Sequence, residues 1–207
     1  MAYSQVGIVN MAYALIGEGA ISSISGTDAK SILAAQVWDF ILDEVLCAHE
    51  WNFAKKRVDL VQDATAPEGE EYDYRYPLPA DYLKVRKIEP ALTDYKIEAG
   101  YLLTNYDNTD GDDITLHYTR RETNPAMFPA MFVTCLYCRL AAQVAFKQVR
   151  GSSNVQDRMF ALYDRALIQA IGTNQSEDYV EDEQGSTSWI DAGRGGFNDQ
   201  SDIPGHS

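Results

Sequence analysis

The sequence predicts an α+β fold, mainly α: a four-helix bundle with an inserted small antiparallel β lobe and a disordered or extended acidic C-terminal tail. Two changes along the chain carry this. Apolar residues recur at helical spacing up to about Trp51, alternate with period 2 through the middle, and return to helical spacing at Pro125. From residue 173 onward large apolar residues become rare. The chain of 207 residues thus divides into N-terminal helices (1–51), a β lobe (52–124), C-terminal helices (125–172) and an acidic arm (173–207).

The first helix is expected over Tyr3–Ile16, with Val6, Val9, Met11, Tyr13 and Ile16 supplying apolar surface. Gly17, Gly19 and the Ser/Gly run to Gly26 end it. Thr27 is a candidate N-cap for a second helix reaching about His49. Its stripe is Leu33, Val37, Phe40, Ile41 and Val45, with Lys30, Gln36, Asp39 and Asp43 on the polar side. Trp51, Phe53, Val58, Leu60 and Val61 then read as extended chain, followed by an acidic turn at Asp63–Glu71. Tyr72, Tyr74 and Tyr76 alternate as in a strand until Pro77 and Pro79 interrupt. Further strands are expected at Tyr82–Glu89, Lys96–Glu98, Tyr101–Asn105 and Asp113–Arg120, with turns at Glu98–Tyr101 and Asn108–Asp112. A third helix, apolar on most sides, runs from Pro125 or Pro129 to Val149, and such a helix belongs at the centre of a bundle or assembly. Ser153 with Gln156 forms a capping-box pattern for a fourth helix. Its stripe is Val155, Met159, Leu162, Tyr163, Ala166 and Ala170, with Gly172 as its stop.

Composition narrows the function. The formal charge is −14 at pH 7, and a freely exposed surface that acidic repels nucleic-acid phosphates, which argues against an ordinary DNA-binding role and leaves open one in which DNA slides past without sticking. Cys47, Cys135 and Cys138 are an odd set without the spacing of a disulfide framework. The N-terminus lacks the basic start and continuous apolar run of a signal peptide. The most apolar window, Met131–Cys138, is cut short by Arg139. These features predict a soluble protein made in a reducing cytoplasm.

Patterns that would carry chemistry are weak. Cys135-Leu-Tyr-Cys138 is a lone CxxC within an apolar helix, without the second ligand pair that zinc needs, and reads as packing. His49, His117 and His206 fall in a helix end, a strand and the tail, with no HExxH or nucleophile elbow among them. Asp107–Asp113 resembles a calcium loop without its closing bidentate glutamate, and an acidic turn fits better. The tyrosine alternation could stack single-stranded bases, but acids surround it and cross-strand packing is the better reading. No catalytic residue, metal ligand or cofactor site is assigned. The tail has eight acids against one base, Arg194, too polar a composition to fold alone. Trp189, Ile190 and Phe197 stand out in it as anchors suited to docking on a partner.

One segment is more specific. The second helix closes in Cys47-Ala-His-Glu-Trp51-Asn52-Phe53-Ala54-Lys55-Lys56-Arg57, and after the acidic turn comes Tyr76-Pro77-Leu78-Pro79-Ala80-Asp81-Tyr82-Leu83-Lys84-Val85. A Trp-Asn-Phe-Ala run at a helix end, followed by a Leu-Pro-Ala-Asp turn into a strand, resembles the tail tubular protein A and head-to-tail adaptor family of tailed phages. Ala14-Leu-Ile-Gly17-Glu near the start and Leu140-Ala-Ala142 in the third helix extend the likeness over about residues 5–172. Trp51 and Phe53 are expected to pin the β lobe to the helices, Pro79 to fix a turn, and Asp81 to cap its backbone.

The resemblance implies a dodecameric homo-oligomeric ring beneath the portal protein. Such a ring lengthens the DNA channel and provides the platform for a tail nozzle or stopper protein, with an acidic lumen that lets DNA pass without specific binding. It implies no enzyme activity, no cofactor and no membrane partner, and a place at the head–tail junction of the virion. The residues themselves leave two alternatives: a tail-associated hydrolase, which needs an acid and base paired in a cleft, and a binding protein whose acidic tail mimics DNA.

Overall fold

A computed structural model describes residues 3–67, 69, 71–107, 113–148 and 153–176. Helix α1 (Gln5–Leu15) opens on Ser4, whose Oγ accepts the Gly7 amide at 3.1 Å. It ends at Gly17, whose φ of 76° is the left-handed turn that lets the Glu18 amide reach back to the Tyr13 carbonyl at 2.9 Å. Helix α2 (Ala29–Ala48) is capped by Asp28, not by the expected Thr27. The longer reach of the carboxylate takes both the Ser31 amide (3.1 Å) and the Ser31 hydroxyl (2.7 Å). Tyr13 donates to the Lys30 carbonyl at 2.7 Å and so fixes α1 against the start of α2.

The chain between Trp51 and β1 is not extended. Asn52–Ala54 forms a one-turn 3-10 helix, closed by the Ala54 amide on the Trp51 carbonyl at 3.1 Å. That turn sends the Trp51 and Phe53 rings together into the helical core, where extended backbone would point them to the same side only at a strand's wider spacing.

Two antiparallel three-stranded sheets follow. The first has the order β1 (Lys55–Leu60), β6 (Ile114–Arg120), β3 (Tyr82–Glu89). The second has the order β2 (Tyr74–Pro77), β5 (Tyr101–Thr104), β4 (Lys96–Glu98). The expected turn at Glu98–Tyr101 joins β4 and β5, with φ of 48° at Ala99 and 83° at Gly100. Both sheets feed one apolar core of Leu60, Tyr76, Ile88, Leu102, Ile114, Leu116 and Tyr118.

Helix α3 (Ala130–Gln148) is the centre of the helical part: α1 and α2 both lie along it. Phe132, Cys135, Leu136, Ala141 and Ala142 are fully buried there, as the all-round apolar pattern requires. Helix α4 (Ser153–Ser176) adds Met159, Tyr163, Ala166 and Ala170 to the same core. It does not stop at Gly172. An isolated glycine costs a helix about 1 kcal/mol, and here the hydrogen bonds of buried Asn174, one turn beyond Ala170, act against that cost. Residues 173–176 are therefore helix, not arm. The architecture is mixed α+β, with two sheets and helices gathered on α3, and not a plain four-helix bundle.

Candidate functional site: the junction of helices and sheets

The two segments that carry the resemblance lie about 25 residues apart in the chain. They converge where α2 ends and β1, β6 and β3 begin or finish. Trp51 is 2% exposed. Its Nε1 donates to the Val45 carbonyl at 2.8 Å, which satisfies the polar edge of a buried indole and one of the free carbonyls near the end of α2. Its ring meets His49 (5.2 Å) and Phe132 (5.3 Å) edge-on. Phe53 packs on Phe132 at 4.8 Å and on Phe128 at 5.9 Å. Five aromatic side chains from two separate stretches, 49–53 and 128–132, thus interlock, and the helical core reaches the first sheet through them. Leu83 of β3 packs on that same core.

Backbone groups here are held by side chains from distant elements. Arg86 on β3 donates through Nη2 to the Trp51 carbonyl (2.7 Å) and through Nε to Thr119 Oγ1 on β6 (2.9 Å). Asn174 in the last turn of α4 is 8% exposed. Its Oδ1 accepts the Asn52 amide at 3.0 Å, its Nδ2 donates to the Glu50 carbonyl at 3.3 Å, and its own carbonyl accepts Asn52 Nδ2 at 3.2 Å. His49 Nε2 lies 3.2 Å from the same Nδ2. Asn52 in the motif is thus the partner of Asn174, a residue 122 positions away. The sequence reading missed Asn174 because it ended α4 at Gly172. The signal was present, since Asn174 continues the stripe Met159, Tyr163, Ala166, Ala170 at helical spacing.

The Leu78-Pro79-Ala80-Asp81 segment forms the turn into β3, with the Tyr82 amide on the Pro79 carbonyl at 3.0 Å. Leu78 packs on the β core, and Ala80 is exposed. The Asp81 side chain reaches across the sheet. Its carboxylate accepts from Tyr118 Oη of β6 (2.7 Å) and Lys56 Nζ of β1 (2.8 Å), so one side chain pins all three strands of the first sheet. Desolvation pushes the Asp81 carboxyl up, but the hydrogen bonds from Lys56 and Tyr118 outweigh it and hold the group below the usual carboxylate range. The hydrogen bond to Asp81 raises the Lys56 ammonium in turn. The Asp81 carbonyl accepts the Arg121 amide at 2.7 Å. The Arg121 guanidinium reaches back to Asp43 (2.6 Å) and Asp39 (3.0 Å) on α2.

Elsewhere the thiols of Cys135 and Cys138 are buried in α3, and desolvation pushes them up to about 12 and about 11, protonated at neutral pH. His117 lies on β6 with Nε2 3.1 Å from Glu89. Tyr72 and Tyr76 are buried with their hydroxyls on Asp94 (3.1 Å) and the Tyr106 carbonyl (2.9 Å), so neither ring offers a free stacking face. Among the described residues no group of three or more His, Cys, Asp or Glu is placed to hold a metal ion, and no helix is long and apolar enough to cross a membrane. His206, most of the Asp107–Asp113 turn, and the tail anchors Trp189, Ile190 and Phe197 lie outside the described residues. No protein-family model matches the chain, and no curated protein matches it.

Proposed function

We propose that the chain is a structural head-to-tail adaptor of a tailed phage, which acts by assembling into a ring beneath the portal protein. The supporting observation is the convergence of the Trp51–Ala54 and Leu78–Asp81 segments on one end of β6. Trp51, Asn52, Phe53 and Asp81 of these segments take part in a joint of aromatic rings, hydrogen bonds and an ion pair, and such a joint sets the relative position of parts. In this reading the ring is a dodecamer that extends the DNA channel and provides the platform for a nozzle or stopper protein. DNA passes without sequence-specific contacts, no cofactor takes part, and the chain resides at the head–tail junction of the virion.

The acidic segment that follows Ser176 is the proposed arm that grips the portal, with Trp189, Ile190 and Phe197 as anchors. Its acids steer it toward a basic surface, and many arms around a ring turn a weak contact into a tight joint. Complementation tests this arrangement. Phage lacking the gene is supplied with the full chain or with a chain ending at Ser176. The full chain should restore DNA-filled, tailed particles, and the shortened chain should leave heads that lose DNA. Full rescue by the shortened chain would remove the arm from the proposal.

A further inference from the structure

The chain carries −14, yet its cations are not evenly spread. In the first sheet, side chains alternate between two faces. Lys56, Val58 and Leu60 of β1 point with Tyr118, Leu116 and Ile114 of β6 toward the β core. The other face holds Lys55 and Arg57 of β1, Thr119 and His117 of β6, and Lys84 and Lys87 of β3, paired in register across the strands. Lys55, Arg57, Lys84 and Lys87 are exposed. Among the described residues Lys55, Arg57 and Lys84 take part in no ion pair, whereas Lys87 pairs with Glu89 at 2.5 Å. Two strand spacings set β1 and β3 about 10 Å apart, and alternate residues on β1 are about 6.8 Å apart. Lys55, Arg57 and Lys84 therefore stand exposed along the two edge strands of this face, while Thr119 and His117 between them are buried, Thr119 beneath its hydrogen bond from Arg86 Nε. Asp59 and Glu89 bound the face at its far end, opposite Thr115.

We infer that this face of the first sheet is a contact surface for the phosphate backbone of a nucleic acid, independent of base sequence. The inference stands on the sheet alone and not on the adaptor reading. Two arguments select a phosphodiester backbone over an acidic protein segment. Among the described residues, strands β1, β3 and β6 contribute none of the exposed large apolar side chains, so the face lacks the anchors that give protein interfaces their energy. It also presents no exposed aromatic ring on which bases would stack, which leaves charge as the source of binding. The overall acidity does not cancel the patch, because charges farther off than about 10 Å are largely screened at 0.1 M salt.

Binding of a fluorescein-labelled 20-base-pair duplex to the full chain, read by anisotropy, tests this. Neutralising three phosphates predicts an affinity loss of about 40-fold between 50 and 200 mM NaCl. The variant K55E/R57E/K84E should lose at least about tenfold at 50 mM NaCl. The control K147E/R158E/R165E makes the same change in net charge at exposed sites on α3 and α4, and should lose less than about threefold. Circular dichroism melting of both variants shows whether the fold survives. If the sheet variant fails to fold, K55Q with K84Q replaces it, with a smaller loss in the same direction expected. Three results would overturn the inference: no binding by the unaltered chain at 50 mM NaCl, equal losses in both triple variants, or poly-glutamate of matched charge binding as well as the duplex.

Discussion

Trp51 and Asp81 show what single residues contribute. Trp51 joins two requirements that conflict in most buried side chains: a large apolar surface and a satisfied N–H. Truncation to alanine removes both and leaves a cavity between α2, α3 and the 3-10 turn. Trp51→Ala should cost about 3–5 kcal/mol in chemical denaturation. A loss under about 1 kcal/mol would mean that the indole does not hold the joint. Asp81 makes a prediction in pH. Its folded-state value is depressed, so the stability it contributes is fully present above its unfolded value of about 3.9 and is lost as pH falls through the folded value. Asp81→Asn should therefore be less stable than the parent at pH 7, and the gap should close as both are melted at progressively lower pH below about 4. A gap that stays constant across that range would show that the Lys56–Asp81–Tyr118 contact does not depend on the charge. The motif residues were legible in the sequence as a structural marker, but their partners were not. Asn174, Arg86 and Arg121 reach the joint across 122, 35 and 78 residues, and no local pattern encodes contacts at such separations.

Elements were read well where periodicity is strong and less well where a single residue sets the boundary. The strands Tyr82–Glu89 and Lys96–Glu98 fall where alternation placed them. The strand order did not follow from alternation, since β6 inserts between β1 and β3 and so pairs the first and last strands of the β region. Asp28 took the cap of α2 from Thr27, and Gly172 failed to stop α4. That last difference changes what a truncation means. A chain ending at Gly172 loses the Asn174 contacts and leaves the Asn52 amide and Glu50 carbonyl without their partner. It should melt well below the full chain, since each buried polar group left unpaired costs about 1–3 kcal/mol. A chain ending at Ser176 keeps those contacts and should melt within a few degrees of the full chain. Equal melting of the two truncations would mean that the end of α4 contributes nothing to the joint.

At the scale of the whole molecule, two cores meet at one joint. The helical core and the β core each bury their own apolar residues, and the Trp51 aromatic cluster, Arg86, Arg121 and Asn174 tie one to the other. A subunit of that kind suits a ring, in which each copy must present the same faces at the same angle to its neighbours. In the proposed ring, a net acidic chain would carry a local cationic face on the first sheet. The most direct test of the adaptor reading is electron microscopy of purified portal rings, from the genome that encodes this chain, mixed with the purified full chain. An added ring of density should appear on the tail-facing side of the portal, coaxial with its channel. Portal rings that remain bare at saturating chain, while the chain itself stays folded, would contradict it.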